Sequence, residues 1–427
     1  MKKIFLFLTF CAAVLCASAS NRYVSPTGDD GDGKSWEHAL HSIATALGGR
    51  GAGDTVFVAE GVYVENLSIS TGVTLLGGYD AESGVRDPEL YESVVDGTGL
   101  TSWLLVKYDA DPAEPILIDG MVFQNANHST WGGAAIFMRG NMTVSNCVFR
   151  NNTSGSKAGG IYIDPTGSVV PVIRNCLFEG CKSTAAEQAA AIYSEGIALT
   201  ENCVIRGCQG GVMIRQNEGG TVQNCVIYNN LAEYNGCLYG KGTFINNTVC
   251  NNLGVEGRYG GCRIEGKVVN CVFWGNSVPN GDATHHNYIA SGTGSSNNKA
   301  DIGTGMTTGL AADNNAADGP NFRNPTGFAG IAKTDAEKTA VRDADFAVTS
   351  ASAPLLDCGD ATQAPATDMK GVARPKGNGV DLGAYEYDPD AVHIEVTGVR
   401  ILQDTIRIIV GRTGTLVAQV EPANADN

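Results

Sequence analysis

Six four-residue segments of this chain share one pattern: Asn146-Cys147-Val148-Phe149, Asn175-Cys176-Leu177-Phe178, Asn202-Cys203-Val204-Ile205, Asn224-Cys225-Val226-Ile227, Asn247-Thr248-Val249-Cys250 and Asn270-Cys271-Val272-Phe273. Successive asparagines are 29, 27, 22, 23 and 23 residues apart. A period in the twenties that leaves room only for short strands restricts the chain to a solenoid, whose units bury their apolar sides against one another. Apolar columns stand two residues before the asparagine (Val144, Ile173, Thr200, Val222, Ile245, Val268) and one and three residues after it. These three positions cannot share a face of one straight strand, because side chains alternate with period two. The asparagine is therefore expected at a corner, in the left-handed conformation it tolerates better than most residues, with its amides stacked in a ladder.

A second block recurs before each of these: Ala135-Ile136-Phe137-Met138, Gly160-Ile161-Tyr162-Ile163, Ala191-Ile192-Tyr193-Ser194, Gly211-Val212-Met213-Ile214, Gly236-Cys237-Leu238-Tyr239 and Gly261-Cys262-Arg263-Ile264. Small residues permit a tight corner, and the alternation after them marks another strand. Three short strands per coil describe an all-β right-handed parallel β-helix. Trp36, Leu40, Ile43 and Leu47 fall on one face of a helix that Ser35 would cap and Gly48-Gly49 would end, placed to cover the first coil. Residues 277–340 lose the repeat and turn rich in Gly, Asn, Ala and Thr.

Gly-Gly followed by an apolar residue, then Phe-x-x-Asn (Phe149 to Asn152, Phe273 to Asn276), resembles the repeats of polymorphic outer-membrane proteins and of secreted pectate-lyase-like β-helix proteins. The opening segment Tyr23-Val24-Ser25-Pro26, with Gly53-Asp54-Thr55-Val56, is similar to the start of such proteins, and the segments from Ala353 to Asp360 and from Val380 to Tyr387 resemble a choice-of-anchor closing region. The alternation of Ile406, Ile408 and Val410 and the run Glu421-Pro422-Ala423-Asn424 resemble the start of a group 2 bacterial Ig-like domain. A complete sandwich needs on the order of 80–100 residues, so only part of one fits. The expected organisation is a signal peptide (1–20), a cap with first coils (21–80), β-helix coils (81–276), irregular last coils with a closing segment (277–390), and an incomplete Ig-like domain (391–427).

Lys2 and Lys3, the apolar run from Ile4 to Leu15 and Ala17-Ser18-Ala19 read as a cleaved secretory signal, which points to an extracellular or outer-surface location. The formal charge of −16 becomes −18 without the two lysines, a poor match for nucleic acid. No later stretch is apolar enough over ~18 residues to span a bilayer. Thirteen cysteines less Cys11 and Cys16 leave eleven, most of them in columns that suit stacked interior thiols; bridges between neighbouring coils are the alternative, and zinc ligation fits the spacing poorly.

Strand parity places one outward row at Phe137, Tyr162, Tyr193, Met213, Leu238 and Arg263, and a second at Arg139, Asp164, Glu195, Arg215, Gly240 and Glu265. Exposed aromatics beside fixed charges suggest a lateral face for adhesion or glycan binding, with a polysaccharide or a host or cell-surface protein as partner. A loop covering the same face is the competing reading. The pectate-lyase-like resemblance implies an enzymatic alternative, in which Asp164 and Glu195 would hold Ca²⁺ against an acidic sugar and Arg215 would remove a proton. No cofactor is expected outside that alternative. Asp29, Asp30 and Asp32 form a Gly-rich loop that could bind Ca²⁺ or act as a polar turn.

Overall fold

The computed structural model describes residues 20–106, 115–129, 132–164, 169–217, 219–279 and 285–391, together with the backbone of two strands near the C-terminus. The signal segment up to residue 19 and most of the Ig-like segment lie outside the described residues. Contacts divide the chain after Tyr387. In the second unit, Gly398–Ile401 pairs antiparallel with Ala418–Glu421.

The first unit is a right-handed parallel β-helix with four faces. Sheet A has ten strands, sheet B eleven, sheet C nine and sheet D six. One coil runs from sheet A (Met142–Ser145) through sheet B (Val148–Arg150) and sheet D (Thr153–Ser154) to sheet C (Ile161–Ile163). The fourth face, two-residue strands of sheet D, arises because there are two left-handed corners per coil. Asn146, Asn175, Asn202, Asn224 and Asn270 make the first corner, with φ between 51° and 57°. Asn125, Asn151, Asn229 and Asn251 make the second, five residues further on, and Gly180, Gly207 and Gly275 serve there in other coils. Asn and Gly are the residues that accept this conformation at little steric cost.

One coil departs from the expected register. Asn246, with φ 49°, holds the corner, and Asn247 stands in the interior opposite Cys225 and Cys271. The inward residue two before the corner is therefore Phe244 rather than Ile245, and Cys250 faces outward beside Tyr228 and Trp274. Two adjacent asparagines offered both readings. Both are fully buried, but in different places: Asn247 lies inside the coils, accepting from Cys225 N–H at 2.9 Å and donating to Val222 O at 2.9 Å, whereas the Asn246 amide points out to the strap.

The interior is a set of columns. Phe123, Phe149 and Phe178 stack with centroids 5.5 and 4.6 Å apart. Cys147, Cys176, Cys203, Cys225 and Cys271 form a column of free, buried thiols. Burying each such aromatic is worth roughly 1.5–3 kcal/mol, which offsets the ordering of short strands that have no stability alone. The N-terminal helix α1 (Ile43–Leu47) is shorter than expected: Ser42, not Ser35, caps it, and Gly48 closes it. Its Ile43, Ala46 and Leu47 join the main core.

Residues 310–387 do not continue the coils. They form a strap over the outer face of sheet B, where Phe346, Leu355, Leu382 and Ala384 bury Val226, Tyr228, Cys250, Val272 and Trp274. Helix α2 (Asp335–Arg342), with a capping box at Thr334 and Glu337, lies within it. The corner amides tie the strap down. Asn224 donates to Thr367 O, Asn246 to Asp381 O and Gly383 O, and Asn270 to Asp360 O, while Asn229 and Asn251 of the second corner donate to Phe328 O and Thr326 O.

Candidate functional site

Two lateral surfaces of the β-helix carry enough chemistry to consider. The first is the outer side of sheet C. Phe137, Tyr162 and Tyr193 pair in register as expected, with centroids 5.5 and 5.7 Å apart. They do not form an open platform: their exposures are 0%, 3% and 2%. Cations lie over the rings. Arg139 sits 5.4 Å from Phe137, and Lys157 sits 4.9 Å from Tyr193. Burial, reinforced by the nearby Glu195 and Asp164 charges, pushes the Tyr162 hydroxyl well above its ordinary range.

Beyond Tyr193 the expected row slips, by two residues at Met213 and by one at Leu238. The strand Ala189–Ser194 shifts register against Val212–Gln216, so Arg215, not Met213, faces out opposite Tyr193. Met213 is fully buried in the main core, and Leu238 is likewise interior. The true row continues Arg215, Tyr239, Arg263, Tyr288. Arg263 keeps its place, and these four side chains are half-buried.

The proposed lyase residues are not arranged as a cation site with a base. Asp164 is held by Arg139. Glu195 is held by Lys157 at 2.9 Å, and it accepts from Asn217 Nδ2 at 3.2 Å. Burial works against the Lys157 charge, yet the Glu195 hydrogen bond carries that lysine above its ordinary value. Arg215 belongs to the aromatic row rather than the carboxylate row, and it donates to Glu187 O at 3.2 Å. In the opening loop, Asp29 bonds His38 at 2.8 Å, Asp30 accepts from His41 N–H, and Asp32 pairs with Lys34 at 3.0 Å. The His38 hydrogen bond holds Asp29 below the usual carboxylate range. These carboxylates serve the turn individually. Among the described residues no group of three or more His, Cys, Asp or Glu converges as metal ligands.

The second surface is the outer face of sheet B where the strap ends. An open cleft of about 890 Å³ lies there, within the range of roughly 300–1,000 Å³ common to small-ligand sites. Its floor is an aliphatic stripe, Leu177, Val204 and Val226, which are register partners on successive strands. Along one edge runs the amide ladder: Asn175 Nδ2 donates to Asn146 Oδ1 at 3.3 Å, and Asn202 Nδ2 to Asn175 Oδ1 at 3.2 Å. The ladder stops at Asn202 because Asn224 has turned to the strap, and Asn202 Oδ1 is left without a donor. Arg206, Arg342 and Lys370 line the other walls.

Sequence reading missed this cleft because its far walls come from residues more than a hundred positions away. It also missed Tyr239 and Tyr288 of the outward row. A signal for the slip was available: the corner spacing from Asn202 to Asn224 is 22, and counting 22 from Tyr193 reaches Arg215 rather than Met213.

The family described as "Right handed beta helix region" matches residues 132–302. No curated protein sequence matches the chain. Among solved structures, the chain is similar to pectate lyase Pel9A, with 13% identity, a TM-score of 0.42, and coverage of 87% of this chain and 97% of that one. It is also similar to XylC in its complex with xylose, with 11% identity, a TM-score of 0.35, and coverage of 72% and 78%.

Proposed function

We propose that the protein is an exported, non-catalytic β-helix protein that binds a neutral or weakly charged oligosaccharide in the cleft beside the strap. The observation that carries this reading is the amide ladder from Asn146 through Asn175 to Asn202 running along an aliphatic floor. Amides that both donate and accept suit sugar hydroxyls, and an aliphatic strip suits the C–H face of a pyranose. Rigid strands hold both, so binding orders little of the protein. The ion-paired state of Asp164 and Glu195 supports a binding role over a lyase. Secretion through the N-terminal signal places such a protein where polysaccharides are encountered.

The test is a glycan array with the protein and with an Asn175→Gly/Asn202→Gly variant, since glycine keeps the left-handed corner while removing the amides. Saturable binding that the variant loses is expected. Release of unsaturated products from an acidic polysaccharide with Ca²⁺, abolished by Arg215→Ala, would replace this reading with the lyase alternative.

A further inference from the structure

The outer face of sheet A poses a separate question at its first strands, which does not rest on the cleft. In Asn21–Val24, Asp54–Ala59 and Val73–Tyr79 the inward positions are Val24, Val56, Val58, Val73 and Leu75, so Tyr23, Thr55, Phe57 and Thr74 stand outward. Tyr23 is the register partner of Phe57, and Thr55 of Thr74. The register shifts after Phe57 and brings Tyr79 beside Ala59. Trp36 then completes a ring of four aromatics, with centroid separations of 5.1 Å (Tyr23 to Phe57), 5.4 Å (Phe57 to Tyr79), 5.5 Å (Tyr79 to Trp36) and 4.9 Å (Trp36 to Tyr23). The loop carrying Trp36 is tied to the edge strand on both sides: Tyr23 N–H donates to Gly33 O and Leu40 N–H to Tyr23 O, each at 2.9 Å.

All four rings are half-buried, unlike Phe137, Tyr162 and Tyr193 of sheet C, which are sealed beneath cations. Tyr23 Oη, Tyr79 Oη, Trp36 Nε1 and the hydroxyls of Thr55 and Thr74 make no hydrogen bond among the described residues, and none of these five atoms is closed off from water. The surrounding charges give an anion little to hold. Arg86 is paired with Asp119 and donates to Gly77 O, Lys34 is paired with Asp32, and Arg22 stands against Glu37, Glu60 and Asp80. The close spacing of the rings leaves no hole between them for an ammonium group.

We infer that this aromatic quartet, with the Thr55 and Thr74 hydroxyls beside it, binds an uncharged hexopyranose unit of a glycan. The C–H face of the sugar lies on the rings, and its hydroxyls exchange hydrogen bonds with the phenol, indole and threonine groups, which between them both donate and accept. Half-buried rings of about 150–250 Å² each leave at most roughly 300 Å² open in total, enough for a sugar unit or its neighbour and well short of the roughly 800 Å² per partner of a stable protein interface. Mutual packing and the backbone anchors already order the rings, so binding costs little side-chain entropy.

The test is calorimetric titration of the full chain with cellohexaose, an uncharged chain of equatorially substituted rings, beside tetragalacturonate and tetramethylammonium chloride, with tryptophan fluorescence as the readout specific to this site. Saturable binding of cellohexaose with an emission change that Trp36→Phe removes is expected. Tyr23→Phe/Tyr79→Phe keeps the rings and removes their hydroxyls, so it should weaken the fluorescence-detected binding about tenfold with the unfolding midpoint unchanged, and Trp36→Ala should weaken binding at least as much. Asn175→Gly/Asn202→Gly in the cleft should leave the emission change in place. Absence of a saturable emission change up to about 10 mM cellohexaose, tighter binding of tetragalacturonate or tetramethylammonium, an affinity unchanged in the Tyr variant, or an emission change lost in the cleft variant would each overturn the inference.

Discussion

Asn246 and Asn247 are chemically identical neighbours with different duties, and exchanging their roles is the sharpest check on the register. Replacing Asn247 with Ala removes an interior amide. Cys225 N–H then loses the acceptor at 2.9 Å and Val222 O the donor at 2.9 Å, both in a fully buried setting. Leaving a buried polar group unsatisfied costs about 1–3 kcal/mol, so two of them predict a loss of about 2–6 kcal/mol. Replacing Asn246 with Gly preserves the corner at φ 49°. The strap carbonyls it served stay bonded, because Arg374 Nη1 also donates to Asp381 O at 3.0 Å and Nη2 to Gly383 O at 2.9 Å. Asn270 Nδ2, which donates to Asn246 Oδ1 at 3.2 Å, likewise keeps Asp360 O at 3.1 Å, so three redundant hydrogen bonds predict a loss of about 1–3 kcal/mol. The assay is urea unfolding followed by circular dichroism, comparing midpoints at equal m values, since a solenoid can depart from two-state behaviour. A larger loss for Asn246→Gly than for Asn247→Ala would refute the register and restore Asn247 to the corner.

Tyr193→Ala should destabilise the β-helix by about 3 kcal/mol in the same assay, because the ring is buried beneath Lys157 and Arg215 rather than displayed; a change under about 0.5 kcal/mol would show an open platform. The ten buried cysteines should resist a thiol reagent until the protein unfolds, with half-buried Cys358 reacting first. Burial pushes the Cys271 thiol up to about 12 from an ordinary value of 9.0. Its folded form therefore binds the proton more tightly than its unfolded form. Stability from this group is complete below pH ~9 and falls between there and pH ~12 by roughly 1.4 kcal/mol per pH unit, measurable as a falling Tm in alkaline buffers. Phe346→Ala should loosen the strap by about 3–5 kcal/mol and make residues 310–387 the first site of limited proteolysis, leaving the upstream coils intact.

The amino-acid sequence by itself determined the solenoid, its coil length and the inward columns of Val, Cys and Phe. Each coil repeats one local instruction, an apolar alternation broken by a residue that tolerates positive φ, and copies of that instruction reinforce one another. It also located the first-corner asparagines Asn146, Asn175, Asn202, Asn224 and Asn270, as φ values of 51° to 57° attest, but not Asn246, Asn297 or the glycine at the same corner, Gly120. Where two readings were locally equal, as at Asn246-Asn247 or in the register shift within Ala189–Ser194, only packing against the neighbouring coils selected one. The strap, the cleft at its end and the burial of Tyr162 and Tyr193 were decided by tertiary structure alone. Asn224 reaches Thr367 and Arg206 reaches Arg342 across 143 and 136 positions of sequence. No repeat encodes such pairings, because they depend on which outward face the closing segment covers. Outward residues carry no periodic constraint, so the same alternation that fixes what lies inside leaves open what lies against the outside.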